Sequence, residues 1–132
     1  MQDTLDLVAP HCLILTPVGS RVTCNPPPVD TDADFLALVE DMEAFREALF
    51  KFEFVMDGSE LLDAAQPPDV ADRFSSYSFG EINIIATCDA AFHRKFLAAS
   101  SVAKRLNLLN KEDRIALFQA VLYGNECEIA VV

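Results

Sequence analysis

Thr31-Asp32-Ala33-Asp34-Phe35-Leu36-Ala37-Leu38-Val39 opens on two carboxylates and closes as an unbroken apolar run. That is how a buried strand reads when only its first end reaches a site. Residues two apart in a strand project to the same face, so Asp32 and Asp34 are expected side by side. Two such charges repel unless a cation lies between them. Hard oxygen ligands of this kind suit Mg²⁺, which often binds through one or two carboxylates plus substrate phosphates. Asp30 extends the acidic run and reads as a loop charge.

Upstream, Cys12-Leu13-Ile14-Leu15-Thr16 is an apolar run of strand length. Pro17 stands just past it, and Gly19-Ser20 marks a turn. Glycine lets a backbone approach a phosphate closely. Backbone N–H groups and the Ser20 hydroxyl at such a turn can hold a triphosphate. Arg21 reads either as a bidentate phosphate contact or as half of a surface salt bridge. Between this turn and the acidic pair, Pro26-Pro27-Pro28 removes three consecutive backbone donors, which excludes a helix or a central strand over 24–31.

Downstream, Met42, Phe45 and Leu49 recur at spacings of three and four and predict a helix near 41–50. Strands are expected at 52–56, 74–79 and 81–87, the last two separated by Gly80. Asp89 is placed to cap a helix whose buried face holds Phe92, Phe96, Ala99, Ala103 and Leu106. A final helix should start at Asn110, with acidic Glu112 and Asp113 in its first turn. Its buried stripe is Ile115, Phe118 and Leu122, and Gly124 is placed to end it. Residues 1–10 read as a lead-in with partial helix, and 57–73 give no clear pattern. Strands alternating with helices predict an α/β (α+β) fold, a mixed β-sheet packed by helices, in a single domain over 1–132.

The composition bounds the function. The chain has 132 residues, ten Phe and 52% apolar residues, enough for a core without disulfide or metal. A net charge of −11 is a poor fit for gripping nucleic-acid phosphates and suits divalent cations or a basic protein partner. Cys12, Cys24, Cys88 and Cys127 show no C-x-x-C spacing, so neither a zinc site nor a thioredoxin-type motif is indicated. Cys12 and Cys88 read as small buried hydrophobes. Free thiols, no signal-peptide pattern after Met1 and no bilayer-length apolar run point to a cytoplasmic protein without a membrane segment. His11 and His93 have no partner motif and receive no role.

Gly19-Ser20-Arg21, a spacer of about ten residues, then Thr31 before Asp32-Ala33-Asp34 resembles the nucleotidyltransferase fold superfamily in its minimal Gly-Ser…Asp-x-Asp form. Glu81-Ile82-Asn83-Ile84-Ile85 and residues 105–124 are also similar to small phage-encoded proteins of that superfamily. The resemblance implies Mg²⁺-dependent transfer of a nucleoside monophosphate from an NTP to a hydroxyl on RNA, a small molecule or a protein. It implies Asp32 and Asp34 as metal ligands, Gly19, Ser20 and Arg21 as the triphosphate cradle, and a third carboxylate on a neighbouring strand. That third position falls on Asn83, with Glu81 two residues earlier as a substitute ligand or an edge charge. An Asn can coordinate through its carbonyl but cannot take a proton as a general base. The alternative is therefore a catalytically degenerate phage protein of this fold that binds and inhibits a host protein in the host cytoplasm, in its sharper form as an acidic DNA mimic. A nucleotide sensor without chemistry is a third expectation.

Overall fold

Gly19 and Pro17 show why the first strand lies where it does. Strand β1 (Ile14–Val18) includes Pro17 rather than stopping before it. The sheet order β1-β2-β5-β4-β3 puts β1 at an edge, where a residue without an N–H forfeits no ladder bond on the solvent side. The computed structural model describes residues 1–28, 32–57 and 74–123. Asp30, Thr31, Gly124, Cys127 and most of the unpatterned stretch 57–73 lie outside them.

The acidic stretch forms β2 (Ala33–Leu38). It pairs antiparallel with β1 and parallel with β5 (Ile82–Thr87). Strand β4 (Ser75–Phe79) joins β5 through a two-residue connection, Gly80-Glu81, and β3 (Val55–Asp57) closes the other edge. Positive φ at the first position of a two-residue hairpin loop favours glycine, and Gly80 has φ 59°. This turn takes Glu81 out of the strand in which the sequence pattern had placed it. Likewise, Phe52 and Glu53 belong to the turn before β3, not to the strand.

Alternation along β2 and β5 sends side chains into two separate cores. Ala33, Phe35, Ala37, Ile82, Ile84 and Ala86 face one side, with Val8 of helix α1 (Gln2–Val8) and Phe45 and Leu49 of α3 (Met42–Lys51). Leu36, Ile85 and Val18 face the other. Phe92, Phe96, Ala99 and Ala103 of α4 (Ala90–Leu106), with Phe118 and Leu122 of α5 (Lys111–Tyr123), cover them. The described residues thus form a single α+β domain with a five-stranded mixed sheet between helices.

Caps set the helix starts. Asp41 accepts from Glu43 and Ala44 N–H at the start of α3, and Asp89 accepts from Ala91 and Phe92 N–H at the start of α4. Asn110 accepts from Glu112 N–H at 2.8 Å ahead of α5. Leu106 is 59% exposed instead of joining the buried face of α4, because Asn107 turns left-handed with φ 49° and ends the helix there. Cys88 is exposed in the gap between β5 and the cap, correcting its reading as a buried hydrophobe. Cys12 is half-buried, and that burial pushes its thiol up to about 11.

Candidate functional site

The end of β1 delivers a glycine directly beneath a carboxylate. Val18 pairs with Asp34 across the β1–β2 ladder, and Asp34 pairs with Asn83 across β2–β5. Gly19 follows with φ 83°, a conformation L side chains rarely adopt. A Cβ at Gly19 would overlap Asp34 Oδ2 and stand 2.9 Å from Asp34 Cβ and Cγ. Gly19 is therefore required twice, by its backbone angle and by the side chain above it. The next four residues wind into a single helical turn, α2 (Ser20–Thr23), with Val22 and Thr23 N–H donating to Gly19 O.

Two anchors, the first reciprocal, hold α2 and the loop after it. Asn25 N–H donates to Asn107 Oδ1 at 2.9 Å, and Asn107 Nδ2 returns a bond to Asn25 O at 3.1 Å. Arg114 Nη1 donates to the carbonyls of Leu108 and Leu109 at 2.9 Å each and reaches the buried Cys24 thiol at 3.3 Å. The C-terminal helices thereby fix the segment that carries Gly19, Ser20 and Arg21.

Asp32 and Asp34 do converge, and the group between them is an amide. Asn83 Nδ2 donates to Asp32 Oδ2 at 3.1 Å and to Asp34 Oδ1 at 3.3 Å. Asp34 is half-buried, while Asp32 is exposed at the rim. Burial raises the Asp34 carboxyl above its ordinary value. The Asn83 hydrogen bond lowers it, the charge of Asp32 raises it again, and Arg21 lowers it slightly. The balance is upward, with burial the largest cause.

The Glu81 side chain is engaged elsewhere. It lies in the β4–β5 turn, is more than half exposed and makes an ion pair with Arg21 at 3.5 Å. Among the described residues no group of three or more His, Cys, Asp or Glu side chains gathers as a metal site. The expectation of Glu81 as a third ligand beside Asp32 and Asp34 thus finds no support in the arrangement. For Arg21, the salt-bridge reading describes what is seen.

Beside Asp34, on the β1 side, lies an open cavity of about 310 Å³ between α1, the end of β1, α2 and the start of β2. Its walls include Leu5, Pro17, Val22 and Phe35, with Gln2, Arg21 and Asp34 as polar members. Sequence reading missed it, since each apolar member looks like an ordinary core or surface position. Asn83 was singled out, but its bridging role depends on a strand register that the sequence does not display.

Fold and site together define an α+β domain whose sheet presents a carboxylate pair, an amide and a Gly-Ser turn at one end. No protein-family model and no curated protein matches the chain. Among solved structures it is similar to a conserved protein, GrpB, from Enterococcus faecalis. The TM-score is 0.48 and the identity 15%, over 91% of this chain and 84% of that one. At that score the similarity adds nothing to the strand order and register described above. Among the described residues no helix is long and apolar enough to cross a membrane.

Proposed function

We propose that the chain is a nucleotidyltransferase-like protein that binds an NTP with Mg²⁺ at the Asp32–Asp34 pair and transfers its nucleoside monophosphate to a hydroxyl. The observation that carries this reading is the convergence of both carboxylates on the Asn83 amide, with the Asp34 side chain directly over Gly19. The donor set fits a small divalent cation. Two carboxylates suffice when phosphates and water complete the shell, and the upward pull on Asp34 is what a bound cation would relieve.

In this reading Asp32 and Asp34 hold the ion. Asn83 keeps the two carboxylates at one spacing and can turn its amide oxygen toward the ion. The Ser20 hydroxyl and the close backbone at Gly19 hold phosphate, and Arg21 exchanges its contact with Glu81 for a phosphate oxygen. Bound Mg²⁺ would supply neutralisation of the charge that develops on the phosphates. Transfer forms a bond from the acceptor oxygen to the α-phosphorus and breaks the α–β phosphoanhydride bond, and pyrophosphate leaves with the electron pair. Asn83 cannot take the acceptor's proton, so that proton passes to water and turnover is slow.

The same Asn83 favours a second reading: binding of nucleotide and metal without turnover, in a domain whose partner is another protein. Pyrophosphate release by the wild type and Asn83→Asp separates the two. A carboxylate at that position supplies a general base, typically worth about 10²–10⁴ in rate. Release above background that rises in Asn83→Asp supports the transferase. Release absent from both proteins, with Mg²⁺-dependent NTP binding retained, supports the binding protein.

A further inference from the structure

Charge is distributed unevenly over the two sides of the sheet. Helix α4 carries Arg94, Lys95, Lys104 and Arg105 and no acidic residue, in a chain whose net charge is −11. On the other side, Asp3 and Asp6 of α1 and Glu43 and Glu47 of α3 are all exposed. Residues three or four apart are neighbours on a helix surface, so Arg94, Ala98, Ser101 and Arg105 run in one line along α4. All four are exposed, as is Lys104, and Lys95 is half-buried. The line faces away from the core, because Phe92, Phe96, Ala99 and Ala103 pack with Leu36 and Ile85 from the opposite side of the helix. Among the described residues none of the four cations forms an ion pair. Asp89, just before α4, is occupied in capping it, and Glu112 and Asp113 come only after the loop 107–110. Beside the line lie Val102 and Leu106, followed by Leu109, all three exposed.

We propose that this face of α4 docks an acidic, amphipathic segment of a different protein. Net charge alone suits a basic partner; this face has the opposite sign. The segment's carboxylates meet Arg94 and Arg105, which suit bidentate contact and stand ~16 Å apart along the helix axis. Ala98 and Ser101 between them are small and let the partner's backbone approach. The segment's apolar side chains meet Val102 and Leu106. These apolar members favour a protein over RNA, whose phosphates gain nothing from them. A membrane surface is disfavoured because the apolar side of α4 is already buried in the core. A second copy is disfavoured because two chains of charge −11 repel. Joining α4 to the acidic opposite side of a copy would also give an open chain of molecules rather than a closed dimer. The net charge does not defeat a direct contact, since exposed charges beyond ~8 Å are largely screened at physiological ionic strength. Docking here does not require nucleotide at the Asp32–Asp34 pair.

The test is fluorescence anisotropy of the whole chain with a labelled helical peptide whose leucines are flanked by glutamates. The same peptide with glutamine in place of glutamate is the control. Wild type, Arg94→Glu/Arg105→Glu and Leu106→Ser are compared, with thermal melts to show that each folds. Saturable binding of the glutamate peptide is expected in the wild type, with the glutamine peptide about tenfold weaker or more. Arg94→Glu/Arg105→Glu should weaken the glutamate peptide by about tenfold or more, because it replaces two attractions with two repulsions. Leu106→Ser should weaken both peptides by a smaller factor, and added salt should weaken only the glutamate peptide. Absence of saturable binding, equal binding of the two peptides, or equal binding by the double variant overturns the proposal. A labelled single-stranded RNA that binds more tightly than the peptide, and is released by the same double substitution, would give the face to nucleic acid and overturn the partner class. Flotation with phosphatidylserine vesicles, lost in that variant, would give it to a membrane. Concentration-dependent sedimentation of the wild type alone, abolished by Arg94→Glu/Arg105→Glu, would give it to a second copy. Either result overturns the proposal equally.

Discussion

Two adjacent rows on one face of the sheet use the same three strands and differ in what they present. One row, Thr16–Leu36–Ile85, buries Leu36 completely and leaves Ile85 5% exposed beneath the helices. The next row, Val18–Asp34–Asn83, puts a carboxylate and an amide where the first puts aliphatic carbon. The first row stabilises through apolar area removed from water. The second costs stability, since Asp34 is half-buried beside another carboxylate and its proton affinity is pulled upward. A fold that keeps such a row, over a turn that only glycine fits, has placed its liability where binding chemistry would use it.

Breaking the apolar row has the largest expected effect. Leu36→Ala should cost about 2–5 kcal/mol by urea denaturation, the range for deleting a fully buried Leu side chain. Gly19→Ala comes next. The left-handed φ alone is worth about 1–3 kcal/mol of strain, and the new methyl overlaps Asp34 Oδ2. Adding Asp34→Ala should return part of that loss but not the part due to φ, which a double-mutant cycle reads directly.

A pH series sharpens the comparison. The Asp34 carboxyl titrates above its ordinary 3.8 in the folded protein. Its stabilising contribution is therefore fully present below 3.8 and is lost as pH rises through the raised value. Asp34→Asn should accordingly gain stability relative to wild type as pH rises across that interval, and Leu36→Ala should show no such pH-dependent difference. The smallest effect is expected at the rim. Glu81→Gln breaks only an exposed pair with Arg21, so its cost should fall within about 0–1 kcal/mol.

The difference between the rows also explains what could be read in advance. Asp32 and Asp34 were legible as neighbours because period-two alternation is local. The cap at Asp89 was legible because a cap bonds N–H groups two or three residues away, and the start of the last helix near Asn110 was legible from the acidic residues of its first turn. The pairing of Asp34 with Asn83 could be expected only from the resemblance, which put Asn83 on a neighbouring strand, because it joins β2 to β5 across α3, β3 and β4 and no short-range pattern sets that register. Pro17 was misread because edge position, not sequence, decides whether a strand tolerates proline. Glu81 was misread because the hairpin ends the strand at Ile82, and Leu106 because Asn107 stops the helix beside it. The cavity could not be read at all, since its walls come from four elements.

The central claim is that the polar row binds a metal–nucleotide pair. Isothermal titration of each NTP with Mg²⁺ tests it most directly, into the wild type and into Asp32→Asn/Asp34→Asn. The account predicts binding that requires Mg²⁺ and disappears in the double variant while its melting temperature does not fall. Absence of binding by any NTP at millimolar concentration, or binding equal in the two proteins, would contradict it.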